Sequence, residues 1–414
     1  MLVQNKFMIL FIGCKKYYVG DNMKRQFILL MICILTVTLY PCPTMASGTV
    51  PEDDKPTVNT SSLDINAKSA ILMEAKTGKI LYEQNTKEAF SPASVTKIMT
   101  LLLVMEAIDS GKINENEMVT VSEHAASMGG SQVFLAVGEQ FSVKELIKCT
   151  VIASANDAAV ALAEHTYGSE ASFVEAMNLR AKELGMESSC FENVTGLDDT
   201  TNNHVTSALD IAIMSRKLLT YPLITEFSST WMDTIRNGAF TITNTNRLVR
   251  FYPGATGLKT GSTEKAKFCL SASANRNGMT LIAVIMGADT RDIRNSEAMR
   301  LLDFGFANYS LYESPEIAVD DMHILKGEKD ALSLSTEPFS VVVEKGSKEK
   351  IVYKIEVPDY VIAPIKERDV VGKVVFSLDG AIIGESKICA FEEVNAITFG
   401  KLLKKMIQTF LHPH

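Results

Sequence analysis

A serine and a lysine stand three residues apart at the start of a long apolar stretch. Ser94 and Lys97 lie in SPASVTKIMT, and the run IMTLLLVMEAI begins directly after the lysine. Side chains three positions apart share one face of a helix, so a hydroxyl nucleophile and an amine base would be neighbours there. The run is about eleven residues long, which is too short to cross a bilayer. It predicts a buried helix that begins near Pro92 and ends near Gly111.

Two further stretches place polar residues in apolar settings. Ser154 and Asn156 lie in IASANDAA, and the tripeptide 259–261 lies in YPGATGLKTGS. With the first pair they form S-x-x-K, S-x-N and K-T-G in that order, the set found in class A β-lactamases and penicillin-binding proteins. Only these copies combine the right order with a predicted helix, helix end and strand. The other copies are Ser262–Lys265, Ser347–Lys350, Lys76–Gly78 and Ser273–Asn275.

From about residue 62 to 411 the chain resembles the D-alanyl-D-alanine carboxypeptidases, which are serine DD-peptidases among the low-molecular-mass penicillin-binding proteins. Beyond the three motifs, the phrases typical of that family are GGSQVFLAVGE, SANDAAVALAE, FVEAMNLRAKELGM and YPGATGLKTGST. Two positions depart from the family pattern: Ser262 stands where an aromatic residue or histidine often follows K-T-G, and Lys267 where glycine is usual. These departures bear on substrate preference.

The resemblance implies an α/β (α+β) domain like those of serine DD-peptidases and β-lactamases, with helices around an antiparallel sheet. It also implies the activity: removal of the terminal D-alanine from the pentapeptide stem of peptidoglycan through an acyl-enzyme on Ser94. β-Lactam antibiotics such as penicillin would acylate the same serine and so act as covalent inhibitors.

The resemblance assigns a role to each residue of the motifs. Lys97 would be the base and Ser154 would relay a proton to the departing D-alanine, while Asn156 would hold a backbone amide of the substrate. Lys259 and Thr260 would bind the terminal carboxylate. The remaining groups are the backbone N–H groups of Ser94 and Ser262, which would form the oxyanion hole, and Gly261, whose missing side chain would let a peptide pair with the strand edge.

Lys97 can act as a base only if it is neutral near pH 7. Burial under the apolar helix would disfavour its charged form, and a positive charge on Lys259 nearby would do the same. Both effects would lower the pKa of Lys97.

Two other functions compete with this interpretation. A class A-like β-lactamase needs a deacylating glutamate in an E-x-x-N pattern, and Glu175 with Asn178 matches, but this pair lies inside a continuous helical stretch about twenty residues beyond Ser154. A non-catalytic sensor that penicillin acylates is the second alternative. Only the peptidase would release D-alanine from a synthetic pentapeptide.

Composition excludes other classes of function. The chain of 414 residues has a net charge of -8, which argues against nucleic acid as a partner. It contains no C-x-x-C pair and no H-E-x-x-H, so no metal site and no cofactor are predicted.

The ends of the chain predict export and membrane attachment. Residues 1–46 have a positive start at Met23-Lys24-Arg25, an apolar core of about thirteen residues and small residues before a cleavage point, which predicts a signal peptide. The true start of the chain is hypothesised to be Met23. At the other end, residues 397–411 have the spacing of an amphipathic basic helix. The enzyme is therefore predicted to be exported, to the outer face of the cytoplasmic membrane or the cell wall, with the helix on the membrane surface.

The remaining boundaries follow composition and periodicity. We expect a flexible leader at 47–61, a catalytic domain at 62–312, a small β-sandwich at 313–395 and an anchor segment at 396–414. In the catalytic domain, helical patterns are expected at 142–166, 170–184, 207–219 and 290–308. Strands are expected around the turn 76–78 and at 240–244, 258–262, 267–274 and 279–286. In the β-sandwich, Asp379-Gly380 predicts a hairpin turn.

Overall fold

A computed structural model describes residues 63–198 and 201–411. The predicted signal peptide, 1–46, and the leader, 47–61, therefore lie outside the described residues.

In the first region, the described residues up to 308 form nine strands and nine α-helices. The strands are Ser69–Glu74 (β1), Ile80–Gln84 (β2), Met118–Thr120 (β3), Gln140–Ser142 (β4), Met232–Ile235 (β5), Phe240–Thr243 (β6), Ala255–Thr263 (β7), Lys267–Arg276 (β8) and Met279–Ala288 (β9). The helices are Lys97–Asp109 (α1), Glu123–Ala126 (α2), Val143–Ile152 (α3), Asn156–Tyr167 (α4), Glu170–Glu183 (α5), Ala208–Leu218 (α6), Pro222–Ser228 (α7), Leu248–Phe251 (α8) and Arg291–Asn308 (α9).

Five of these strands form one antiparallel sheet in the order β2-β1-β9-β8-β7. Successive side chains of a strand point to opposite faces, and both faces of this sheet are buried. On β1, Ile71 and Met73 join one apolar core, whereas Ala70 and Leu72 join the other. Helix α9 covers the second face, and α1 and α6 pack in the core of the first. This confirms the predicted fold class for the catalytic region.

Two details differ from the sequence-based expectations. The helical pattern at 142–166 is two helices, α3 and α4, separated by residues 153–155. The break contains Ser154, whose φ is +60°, a left-handed conformation that interrupts a helix. The strand expected at 240–244 pairs with β5 in a separate two-stranded ribbon and is not part of the main sheet.

The second region, after residue 308, is built from short strands around two small apolar cores. The strands are Tyr309–Glu313 (β10), Met322–Leu325 (β11), Ala331–Leu332 (β12), Leu334–Thr336 (β13), Ser340–Glu344 (β14), Ile351–Glu356 (β15), Tyr360–Ile362 (β16), Val370–Leu378 (β17) and Ala381–Ala390 (β18). They form sheets in the orders β10-β14, β12-β11-β16 and β13-β18-β17-β15. Asp379 and Gly380 join β17 to β18 with φ values of +49° and +85°, as the predicted two-residue hairpin requires.

The final helix, Phe399–Leu411 (α10), is the amphipathic helix that the sequence predicts. Its apolar side chains are exposed, most of all Phe399 at 80% and Phe410 at 87%. On the other side Lys401 and Lys405 form ion pairs with Glu328 and Asp330 of the β region. In the parts of the chain that the structure describes, no helix is long and apolar enough to cross a membrane.

Candidate active site

The three sequence motifs meet at one cavity of about 450 Å³. Ser94, Ser154 and the strand segment 260–262 line it. Lys97, Asn156 and Lys259 lie buried next to these residues, each at most 1% exposed. The fold thus brings together every residue that the sequence assigned to the site.

Ser94 lies in a 3₁₀ turn, Ala93–Thr96, that leads directly into α1. It is the one residue between 91 and 105 whose side chain is not buried. The preceding residue, Ala93, has a φ of +50°, a strained conformation for a residue with a Cβ. The buried helix behind the turn and the strand β7 beside it hold this geometry. The turn therefore presents one hydroxyl to the cavity and buries its neighbours.

The amine of Lys97 is held between the nucleophile and a backbone carbonyl. Its Nζ lies 2.9 Å from Ser94 Oγ and donates to the carbonyl of Thr195, also at 2.9 Å. No carboxylate among the described residues accepts a hydrogen bond from it. Burial, reinforced by the charge of Lys259, lowers the pKa of Lys97 well below its ordinary value. A neutral amine in this position has a lone pair to accept the proton of Ser94.

The carbonyl that orients Lys97 belongs to a loop that the sequence analysis missed. Asn193 Oδ1 accepts from the backbone N–H groups of Thr195 and Gly196, at 3.1 and 2.7 Å. Gly196 has a φ of +80°, and a Cβ there would lie 1.8 Å from the carbonyl oxygen of Ala93. Glycine is therefore required for the loop to pack against the 3₁₀ turn. The only sequence signal was the pair Asn193 and Gly196 in NVTG, which by itself is an ordinary turn.

A buried histidine forms hydrogen bonds that connect the neighbourhood of this loop to the 3₁₀ turn that contains Ser94. His204 Nε2 lies 2.8 Å from Thr96 Oγ1, and the backbone N–H of Glu192 donates to Nδ1 at 3.0 Å. Because Nδ1 accepts, the ring proton is on Nε2, which donates to Thr96. Burial lowers the pKa of His204 to about 4, so the ring is neutral at physiological pH. No motif marks this histidine, and its partners are distant in sequence.

Asn156 is fixed by the loop before it and keeps one polar atom unused. Its amide nitrogen donates to the carbonyl of Gly129 at 2.6 Å, and its backbone N–H donates to the carbonyl of Ser131 at 2.7 Å. Its Oδ1 is buried without a donor among the described residues. An unsatisfied buried oxygen is costly, and an incoming amide N–H would satisfy it.

The loop 129–135 is also clamped by Asp157, which the sequence analysis passed over. This carboxylate is 1% exposed and accepts from the backbone N–H groups of Val133 and Leu135 at 3.1 and 3.0 Å. The clamp holds the loop against the start of α4, where Ser154 lines the cavity and Asn156 lies buried beside it. A lone acidic residue in the apolar stretch SANDAAVALA was the signal for it.

Lys259 and Arg294 place two buried positive charges at the cavity. Lys259 Nζ donates to the carbonyl of Thr260 at 3.0 Å. Burial, and then the charge of Arg294, lower the pKa of Lys259 to about 7. Arg294 is 3% exposed and lines the cavity; among the residues with described positions, its guanidinium donates only to the side chain of Asn295. A carboxylate would pair with these groups, and its binding would raise the pKa of Lys259 again.

The sequence analysis missed Arg294, although its position carried a signal. Arg291 and Arg294 both lie in the first turn of α9, at the positive end of the helix macrodipole. Cations are unfavourable there, so two arginines in this turn point to a use other than helix stability.

Gly261 also has a packing role that was not expected. Its missing side chain faces the 3₁₀ turn: a Cβ would lie 2.8 Å from the carbonyl oxygen of Pro92 and 2.9 Å from the backbone nitrogen of Ser94. The residue therefore lets β7 approach the nucleophile closely. Because β7 is an edge strand, part of its backbone remains free to pair with an extended peptide.

The glutamate of the rival β-lactamase interpretation lies elsewhere. Glu175 is exposed on α5 and does not line the cavity. Asn178 is occupied by the backbone of Phe191, donating at 2.7 Å to its carbonyl and accepting at 2.9 Å from its N–H. This pair serves to pack α5.

Most of the chain is similar to known proteins. Residues 56–290 match the family model described as D-alanyl-D-alanine carboxypeptidase, and residues 306–396 match the one for the C-terminal domain of penicillin-binding protein 5. The D-alanyl-D-alanine carboxypeptidase DacF of Bacillus subtilis is 44% identical over 391 residues, which is 92% of this chain and 98% of the relative.

Two solved structures are also similar. Penicillin-binding protein 5 of Haemophilus influenzae superposes with a TM-score of 0.70 at 32% identity, over 80% of this chain and 98% of that one. Penicillin-binding protein D2 of Listeria monocytogenes, in its ampicillin-bound form, gives a TM-score of 0.54 at 32% identity, over 59% of this chain and 98% of that one.

Gly261→Ala tests the close approach of β7 to the nucleophile. The added methyl group meets three backbone atoms of the turn within 3.0 Å, so the turn must move. A shift of about 1 Å at a nucleophile can cost about 100-fold in rate. We expect acylation by a fluorescent penicillin to slow by about that factor, with little change in the circular dichroism spectrum. Gly400→Ala, at a glycine with no neighbour within 4 Å, is the control; an unchanged rate in Gly261→Ala would refute this role.

His204→Gln tests the buried histidine through the pH dependence of stability. Between pH 6.5 and about 4 this histidine is protonated in the unfolded chain but neutral in the folded protein. The native protein therefore loses stability as the pH falls through this window. We expect the stability advantage of the native protein over His204→Gln to shrink by about 2 kcal/mol between pH 7 and about pH 4.5 in urea unfolding. His323→Gln, at an exposed histidine, should show no such change. A constant gap for His204→Gln would contradict the assignment.

Proposed function

The chain belongs to the D-alanyl-D-alanine carboxypeptidase family and is a serine hydrolase of peptidoglycan peptides, and on this basis we propose that Ser94 is its nucleophile. The observation that carries the proposal is the 2.9 Å contact between Ser94 Oγ and the Nζ of a fully buried lysine. A lysine with this burial and no carboxylate partner among the described residues favours its neutral form, which is the form that a base requires.

Acylation then proceeds with each motif in one role. Lys97 takes the proton of Ser94 as Oγ attacks the carbonyl carbon of the penultimate D-alanine. The negative charge that develops on the carbonyl oxygen is stabilised by the backbone N–H groups of Ser94 and Ser262. Ser154 passes a proton to the departing nitrogen, the amide bond breaks and D-alanine leaves. Water then attacks the ester, with Lys97 again as the base, and regenerates Ser94.

Substrate binding uses the remaining groups of the cavity. Lys259 and Arg294, two buried cations with no acidic residue among the lining of the cavity, hold the terminal carboxylate together with the hydroxyl of Thr260. Asn156 accepts from an amide of the peptide through its unused Oδ1. The free edge of β7 at 260–262 pairs with the peptide backbone, and Gly261 keeps that edge next to Ser94. This arrangement selects peptides with a free C-terminus.

β-Lactam antibiotics act on the same serine in this proposal. The similarity to a penicillin-binding protein with ampicillin bound supports it. The lactam carbonyl takes the place of the penultimate D-alanine carbonyl, and the antibiotic's carboxylate takes the place of the terminal carboxylate.

Ser94→Ala tests the nucleophile. We expect D-alanine release from a synthetic pentapeptide to fall by at least about 10⁴-fold and covalent labelling by penicillin to disappear, because among the described residues Ser94 has the one hydroxyl that is hydrogen-bonded to Lys97 Nζ. The matched control is Ser347→Ala, which removes the serine of another S-x-x-K copy in the β region and should leave both measurements unchanged. Labelling that persists in Ser94→Ala would show that the assignment is wrong.

Lys97→Arg and Lys259→Arg separate the base from the carboxylate-binding cation. Arginine cannot lose its proton in a protein, so Lys97→Arg should reduce acylation by about 10³-fold or more. Lys259→Arg keeps the charge that binds the carboxylate and should cost on the order of tenfold. Single-turnover acylation rates measure both. The opposite ranking would mean that the two roles are exchanged.

Export and membrane attachment complete the proposal. Enzymes of this family act on peptidoglycan outside the cytoplasm, and residues 1–46 would direct export. Residues 397–411 would then hold the mature enzyme at the membrane surface. The exposed apolar side chains of α10 and its lysines suit an interface between lipid and water. These apolar side chains are Phe399, Leu402, Leu403, Met406 and Phe410.

Removal of residues 397–414 tests the attachment. We expect the truncated protein to stay in solution after membranes are pelleted and to keep full D-alanine release, because no described residue of the helix lines the cavity. Phe410→Asp should weaken membrane binding, whereas Phe391→Asp, at an exposed phenylalanine outside the helix, should not. If α10 instead stays docked in the groove beside Ile324, the full-length protein will not bind vesicles and this proposal fails.

A further inference from the structure

The active-site cavity carries more positive charge than one carboxylate needs. Lys259 and Arg294 are buried beside it, and Arg247 and Arg291 line its exposed part. No aspartate or glutamate lines the cavity. Within the described residues, neither Arg247 nor Arg291 forms an ion pair or a hydrogen bond through its side chain. A leaving D-alanine brings one negative charge, for which the two buried cations are already sufficient.

The arginines are close enough to repel one another. Arg291 and Arg247 both contribute, after burial, to lowering the pKa of Arg294 to about 10. Arg291 also stands in the first turn of α9, where the helix macrodipole disfavours a cation. Three guanidinium groups at one cavity are thus locally unfavourable in the free protein. Residues placed against a local electrostatic preference in this way indicate a functional site, and a bound anion would offset the repulsion here.

The cations lie at two depths, two buried and two exposed, and so define two positions for an anion. The terminal carboxylate belongs with Lys259, Arg294 and Thr260, since the K-T-G strand passes beside Ser94. In the proposed function the residue that leaves lies between Ser94 and those groups, and the rest of the cavity is available to its side chain. A cavity of about 450 Å³ is much larger than the methyl group of alanine requires. Arg247 and Arg291 lie on this exposed side.

We propose that Arg247 and Arg291 form a second anion subsite that recognises an acidic side chain on the leaving residue. Besides D-alanine, the enzyme then accepts a dicarboxylic D-amino acid, or a residue with an equivalent negative group, as the leaving residue in preference to an uncharged residue of the same shape. The reaction is unchanged: Ser94 attacks the same carbonyl, and the same amide bond breaks. This inference rests on the proposed function, because it places the terminal carboxylate at Lys259.

The test uses two synthetic peptides that differ only in the terminal group of one side chain. Both end in D-Ala followed by a leaving residue, which is D-Glu in one and D-Gln in the other; the two side chains have the same shape and differ in charge. We expect kcat/KM for the D-Glu peptide to exceed that for the D-Gln peptide by about three- to tenfold, as two partly exposed ion pairs would give. In the double variant Arg247→Gln, Arg291→Gln this ratio should fall to about one. Effects of the substitutions on both peptides alike cancel in the ratio.

Two controls distinguish a subsite from long-range attraction. The variant Lys79→Gln, Lys87→Gln removes the same net charge from exposed positions outside the cavity and should keep the D-Glu preference. A third peptide carries its extra carboxylate at the N-terminal end and leaves D-Gln; it should gain nothing over the D-Gln peptide. Equal gains from both carboxylates would indicate electrostatic steering and overturn the proposal.

Failure of this inference is distinguishable from failure of the proposed function. D-Alanine release from an ordinary pentapeptide by the native protein reports on the function alone. If that release occurs and the native protein shows no preference for D-Glu, or keeps the preference in the arginine double variant, the second subsite does not exist.

Discussion

Two lysine side chains are buried at one cavity, and no carboxylate among the described residues is bonded to either. Burial disfavours the charge on both; the charge of Lys259 further disfavours a charge on Lys97, and the charge of Arg294 disfavours a charge on Lys259. The conflict is resolved when Lys97 is neutral and Lys259 is the cation, whose protonated form a bound carboxylate stabilises. Because the neutral amine touches Ser94, the same conflict supplies the base. One electrostatic constraint thus separates the two lysines into a base and an anion receptor.

Close packing around the cavity stabilises this arrangement, which includes strained backbone conformations. Ala93 and Ser154 have positive φ values, and Gly196 and Gly261 let backbone segments approach where no side chain would fit. Strained residues of this kind cost about 1–3 kcal/mol each and persist only where their surroundings determine them. The core that includes α1 and one face of the sheet supplies those surroundings. Rigidity at the nucleophile is therefore a property of the whole catalytic region.

Local patterns in the sequence predicted the sheet strands, the buried helix after Ser94 and the hairpin at Asp379-Gly380, because each depends on neighbours a few residues away. The motifs predicted which residues meet at the cavity. The break at Ser154, the contact of Gly261 with the nucleophile's turn and the roles of Arg294 and His204 were not predicted. Each depends on a segment far away in the chain, as in the contact of His204 with Thr96, and no periodicity reports such contacts.

The protonation state of Lys97 is the central claim, and titration of that residue measures it directly. With lysine labelled at ¹³Cε, the Lys97 signal is identified by its loss in Lys97→Arg and followed by NMR from about pH 5 to about pH 11. The account predicts a midpoint well below the ordinary 10.5, separate from the signals of surface lysines. A midpoint at or above 10.5 would show that Lys97 keeps its proton at physiological pH, and it would contradict the assignment of this residue as the base.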